Sequence, residues 1–129
     1  LFLNHSGLSA GSFSTSEDFR MFLMQDNVQK KLLPVLKRIP IYTSKGKVKS
    51  IGNITVKGKS GTMHYIRGLA GYVCQAGIPV MAFSILSADL NKRKENSSSN
   101  FEKPKGSSSW LSRAVIQERQ IVRKIIDSI

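Results

Sequence analysis

Residues 68–87 constrain the fold of this chain more than any other stretch. Gly68 to Gln75 and Ile78 to Ser87 both read as strands with apolar side chains on each face. Leu69, Gly71 and Val73 alternate with Ala70, Tyr72 and Cys74; Val80, Ala82, Ser84 and Leu86 alternate with Met81, Phe83 and Ile85. A sheet with one wet face shows clean apolar–polar alternation, so strands apolar on both faces belong to a sheet covered on both sides. Between them Ala76-Gly77 fits a two-residue hairpin turn, which makes the two strands antiparallel neighbours.

Other segments supply a third strand and the cover. Asn53–Gly61 sets Ile54 and Val56 against Thr55 and Lys57, the alternation of a half-buried strand. Leu111, Ala114, Val115, Glu118, Ile121, Val122, Ile125 and Ile129 recur at helical spacing and predict an amphipathic helix over 110–128, broken only by Glu118. Ser14 or Thr15, with Glu17 or Asp18 three residues on, fits a capping box. Phe19, Phe22 and Leu23 extend that helix to about residue 26 or 27, and a short helical stretch follows over 28–33. Residues 1–13 read as irregular chain, and 37–52, basic with Gly46 and Gly52, as a loop or ragged hairpin. Residues 89–108 hold few apolar side chains and read as a mobile basic, Ser-rich insertion. The expected class is α+β, an antiparallel sheet of consecutive strands covered by helices.

With 129 residues the chain amounts to one domain or part of one. Twenty Lys and Arg against eight Asp and Glu give a net charge of +12, and no acidic residue falls between Asn27 and Ala88. Such a balance favours anionic partners, although a solvated basic face is the simpler account. No nucleic-acid partner is expected: aromatic residues are not interleaved with the basic ones of 30–59, and no binding motif is present. The longest nearly apolar stretch, Ile78 to Leu86, is too short for a membrane span. The one cysteine, Cys74, excludes an internal disulfide, and His5 and His64 have no ligand spacing around them. No metal and no cofactor is expected.

The triplet Lys59-Ser60-Gly61 closes the first strand. Lys-Ser/Thr-Gly on a strand is one of three motifs of serine penicillin-binding proteins and class A β-lactamases, beside S-x-x-K and S-D-N. A bare triplet is most simply a strand end with an outward lysine and a turn serine. Here it lies within Val56-Lys57-Gly58-Lys59-Ser60-Gly61-Thr62, followed by Leu69-Ala70-Gly71-Tyr72-Val73 and an apolar strand. Together these blocks resemble the C-terminal part of the class C penicillin-binding proteins, the D-alanyl-D-alanine carboxypeptidase/endopeptidase family. That family carries Lys-Thr-Gly-Ser/Thr, a turn and then Leu-Ala-Gly-Tyr. His5-Ser6-Gly7-Leu8-Ser9 is similar to its Asp-Gly-Ser-Gly-Leu-Ser segment. The resemblance covers essentially the whole chain, as the final third of a longer protein.

The resemblance implies the C-terminal part of a penicillin-binding/β-lactamase-like transpeptidase fold and a periplasmic serine-type peptidase acting through an acyl-enzyme. It implies Lys59, Ser60, Gly61 and Thr62 as substrate-binding residues, with Lys59 and Thr62 also catalytic. The partner implied is a peptidoglycan stem peptide ending in D-Ala-D-Ala, with β-lactams as inhibitors. The residue types suit this chemistry. Lys59 supplies positive potential beside a substrate carboxylate, and the Ser60 hydroxyl donates to it. Gly61 admits the acyl group close to the backbone. The Thr62 N–H matches the second oxyanion donor, and a strand edge accepts an extended peptide. The basic surface adds peripheral membrane or wall contact; oligomeric state is left open.

The chain departs from the family pattern in four places. Ser60 stands for Thr, keeping the hydroxyl. Asn4-His5 replaces an acidic-Gly pair, Tyr65 replaces a small residue after the turn, and the Lys-rich 43–52 segment replaces a Gly-rich one. Ser44-Lys45-Gly46-Lys47 matches S-x-x-K, but in a Gly/Lys loop rather than at a helix start, where one turn sets the lysine beside the serine. Ser98-Ser99-Asn100 matches S-x-N only inside a serine tract and after the Lys-Ser-Gly strand. Both read as chance matches, so the nucleophile is expected upstream of Leu1 and this chain alone is expected to be inactive. His64 reads as a turn histidine, His5 and Ser6 lack an acidic partner, and Cys74 reads as a buried, inert thiol. The alternatives are a non-catalytic wall-binding remnant of the same family and, more distantly, a basic nucleic-acid-binding module.

Overall fold

A computed structural model describes residues 15–95 and 106–129. The order of elements is α1 (Ser16–Leu23), α2 (Asp26–Leu32), β1 (Lys37–Ile39), β2 (Ile54–Met63), β3 (Ile66–Gln75), β4 (Ile78–Ala88), α3 (Leu90–Glu95) and α4 (Ser107–Asp127). The strands make one open antiparallel sheet in the order β1-β2-β3-β4, so the class is α+β.

The β3–β4 hairpin turns through Ala76 and Gly77, both with positive φ (52° and 79°), as a two-residue turn between right-twisted strands requires. β2 and β3 are joined by His64 and Tyr65, with Met63 opposite Ile66. Tyr65 takes φ 58° although it is not glycine. Its ring is buried and meets Trp110 edge-on at 5.9 Å, and this packing offsets the backbone strain.

Alternation along the strands sends two sets of side chains to two covers. On one face Val56, Leu69, Val73, Phe83 and Ile85 pack with Ile41 and with Val122 and Ile126 of α4. On the other, Tyr72 and Cys74 pack with Leu23 at the end of α1 and with Leu32, Leu33 and Leu36. Each fully buried aliphatic side chain of this kind contributes about 1.5–3 kcal/mol. Polar tips on the second face finish the helices: the Tyr72 hydroxyl donates to the Leu23 carbonyl at 2.6 Å, and Lys57 Nζ to the Leu33 carbonyl at 3.4 Å. Gly58 and Gly71 sit directly opposite each other. A Cβ on Gly71 would lie 2.0 Å from the Lys57 carbonyl oxygen, so this part of Leu69-Ala70-Gly71-Tyr72 serves close strand approach.

Several boundaries differ from the sequence expectation. β2 runs on to Met63 and β3 starts at Ile66, because the connection needs only two residues. A short strand, β1, forms within the expected loop. Beyond it Tyr42 and Val48 bridge, and Lys47 O accepts from the Thr43 N–H at 2.8 Å, which makes the ragged hairpin. The capping box forms at Thr15 and Asp18, but α1 stops at Leu23 and α2 starts at Asp26. The insertion expected over 89–108 begins with a helix, α3, whose first turn is capped by Asp89 Oδ1 accepting the Lys92 N–H at 3.1 Å; α4 starts at Ser107. Residues 96–105, with Ser98, Ser99 and Asn100, and residues 1–14, with His5 and Ser6, lie outside the described residues.

Candidate functional site

β1 covers only part of β2. Ile39, Arg38 and Lys37 stand opposite Val56, Lys57 and Gly58, and there the pairing stops. From Lys59 to Met63, β2 is paired with β3 on one side, and among the described residues its other side has no strand. The Ser60 carbonyl lies on this open side, where the Lys59 ammonium donates to it. Backbone groups of alternate residues point the same way in an antiparallel strand, so Ser60 and Thr62 direct their N–H and C=O groups outward along this edge.

The side chains divide by the same alternation. Ser60 and Thr62 stand opposite Leu69 and Arg67, on the α4 face, while Lys59 stands opposite Ala70 on the face of α1 and α2. The expectation that Lys59 lies at the end of its strand is corrected, because β2 continues to Met63. Lys59 is within β2 and exposed, and the structure brings the two hydroxyls to one face and the ammonium to the other, meeting only around the edge. Gly61 is exposed, and a Cβ there would touch nothing among the described residues, which leaves room for close approach of an outside group.

Thr62 has a partner that sequence reasoning missed. Arg67 Nη1 donates to Thr62 Oγ1 at 3.0 Å, and Arg67 Nε and Nη2 donate to the two Glu118 oxygens at 2.9 Å each. Glu118 is 4% exposed. Its hydrogen bonds hold the Arg67 guanidinium above its ordinary pKa. This explains the one break in the α4 stripe: a carboxylate on an apolar face needs a charged, hydrogen-bonded partner. The signal was visible in Glu118; which arginine answers it depends on the fold.

The remaining candidates fall elsewhere. Ser44 is exposed in the turn that closes the Tyr42–Val48 bridge, away from any helix start. His64 occupies the β2–β3 turn, where its carbonyl accepts from Arg93 Nη1 at 2.9 Å. Cys74 is buried, and desolvation pushes its thiol above the ordinary range. Lys37, Arg38, Lys45, Lys47 and Lys49 are exposed, so β1 and the segment after it carry part of the positive charge beside the site. Among the described residues no three His, Cys, Asp or Glu side chains group as metal ligands, and no helix is long and apolar enough to cross a membrane.

No protein-family profile, no curated protein and no solved structure matches the chain.

Proposed function

We propose that this chain is the substrate-docking, C-terminal portion of a serine-type D-alanyl-D-alanine carboxypeptidase/endopeptidase, exported to the periplasm, whose nucleophile lies upstream of Leu1. The observation that carries the reading is the open edge of β2 from Lys59 to Met63. An extended peptide adds to such an edge by main-chain hydrogen bonds. Its terminal carboxylate then meets the hydroxyls of Ser60 and Thr62, with the Lys59 ammonium supplying potential from the other face. The outward Thr62 N–H donates to the carbonyl oxygen as charge develops on it. A serine held against this edge attacks the D-Ala-D-Ala carbonyl, D-alanine leaves, and water releases the shortened peptide. The same path traps β-lactams as acyl-enzymes.

Helix α1 adds support for a larger domain. Phe19, Met21, Phe22 and Met24 are 42–59% exposed, an apolar surface of the kind a neighbouring element covers.

Two measurements test the proposal. Amide NMR of the chain is expected to show saturable shifts at residues 59–63 with a peptide ending in D-Ala-D-Ala, and much weaker shifts with its C-terminal amide. Labelled penicillin is expected to leave this chain unmodified and to acylate a longer form that includes the upstream region. Indifference to the free carboxylate removes the docking role. Stoichiometric labelling of this chain at Ser44 overturns the upstream nucleophile.

A further inference from the structure

A second site lies on the α4 face, between that helix and the sheet. The cavity there measures about 190 Å³, with Leu69, Val115 and Val122 in its apolar wall and Arg67, Glu118 and Arg119 among its polar groups. Two of these charges answer each other, since both Glu118 oxygens accept from Arg67. Arg119 is different. Its guanidinium carbon sits 3.7 Å from the centroid of the Tyr42 ring, and no hydrogen bond or ion pair engages its N–H groups among the described residues. Stacking occupies the face of a guanidinium and leaves the donors in its plane available. Tyr42 is itself tied to α4, because its carbonyl accepts from Arg123 Nη1 at 3.2 Å. A half-buried cation with idle donors is thus held against an apolar cavity.

We propose that this cavity binds a short-chain carboxylate, its head on Arg119 and its tail against Leu69, Val115 and Val122. The planar fork of arginine matches a carboxylate by two parallel hydrogen bonds. The cavity volume of about 190 Å³ is the liquid share of roughly six waters, which sets the ligand at about six to eight non-hydrogen atoms. The apolar wall favours a carboxylate with a hydrocarbon tail over a strongly hydrated phosphate. Leu69 and Arg67 in the cavity wall are cross-strand neighbours of Ser60 and Thr62, but neither hydroxyl residue lines the cavity.

The test uses the full chain with methyl-labelled Leu and Val and pentanoate as the probe. The Leu69, Val115 and Val122 methyls are expected to shift saturably. Pentanamide, acetate and inorganic phosphate are each expected to bind at least about tenfold more weakly, since each lacks the charge or the tail. Arg119→Met, which keeps an apolar stem, is expected to weaken pentanoate by a similar factor with its melting curve little changed. Val115→Phe fills the space and is expected to abolish the shifts. Pentanamide or phosphate binding as tightly as pentanoate overturns the proposal. So does undiminished pentanoate binding in either folded variant, or the absence of saturable shifts in the unmodified chain.

Discussion

The Tyr72 hydroxyl crosses from the middle of β3 to the last residue of α1 and donates to the Leu23 carbonyl at 2.6 Å, with Tyr72 fully buried. One side chain thereby fills the core beneath α1 and satisfies a helix-terminal acceptor. Tyr72→Phe keeps the ring and removes only the donor. It is expected to cost about 1–3 kcal/mol, the penalty of a buried acceptor losing its partner, read as a lower denaturant midpoint at unchanged m-value.

Burial raises the pKa of both Tyr72 and Cys74. In each case the folded state holds the neutral form while the unfolded chain ionises at its ordinary pKa. The associated stability is complete below that pKa and falls as pH rises through the folded value. Stability is therefore expected to decline from about pH 8.5, where free thiols ionise, and more steeply above about pH 10, where phenols do. Cys74→Ala should flatten the first part of the decline and Tyr72→Phe the second. Denaturation curves from pH 7 to 11 check this; a wild-type profile flat across that range contradicts the assignment.

The ion pair between Arg67 and Glu118 joins β3 to α4, with side chains 18% and 5% exposed. Removing one partner leaves a buried charge unanswered, so Glu118→Leu or Arg67→Met alone is expected to destabilise by about 3–5 kcal/mol. Replacing both, as Arg67→Met with Glu118→Leu, should recover most of that loss, because an apolar pair avoids the desolvation penalty. A double-mutant cycle in urea decides it: strict additivity of the two changes means that the contact carries no coupling.

Ala76 occupies a left-handed position, φ 52°, at the first turn residue of the β3–β4 hairpin, with its neighbours exposed. A non-glycine residue there costs about 1–2 kcal/mol, against which glycine loses about 0.5–1 kcal/mol of chain entropy. Ala76→Gly is thus expected to raise stability by up to about 1.5 kcal/mol, seen as a higher melting temperature. A fall in melting temperature contradicts this account of the turn.

The parts of the fold that were legible in the sequence are those where many residues say the same thing. The apolar double faces of 68–87 and the stripe of 110–128 are long, local patterns, and they appear as β3, β4 and α4. β1 was not legible because it has three residues and only Ile39 packs inward; its strand character comes from pairing with Val56. α3 depends on the Asp89 cap and on Arg93 reaching His64, the second a contact between elements far apart in sequence. At the candidate site, period-two alternation alone already separates Lys59 from Ser60. What the sequence could not show is that pairing of β1 along β2 stops at Gly58, because that register is set by packing across the sheet.

That open edge makes the most demanding expectation. On the proposed peptidase reading, Lys59→Ala and Ser60→Ala are expected to slow acylation, without unfolding, in a longer form that holds a nucleophile. Lys59 is exposed and Ser60 only half-buried, so neither change opens a core cavity. Loss of the Ser60 contact to the substrate carboxylate is worth about 1.5–3 kcal/mol, or about 10- to 150-fold in rate, and loss of the Lys59 potential from the other face is worth less. Ser60→Thr keeps the hydroxyl and should retain most activity. Lys59→Arg should recover less than its charge suggests, because a planar fork does not replace a compact ammonium beside the Ser60 carbonyl. The measurement is the second-order acylation rate with a chromogenic β-lactam, alongside a melting curve for each variant. If Lys59→Ala stays folded and acylates at the unmodified rate, Lys59-Ser60-Gly61 is an ordinary strand segment, and the peptidase reading loses the residues on which it rests.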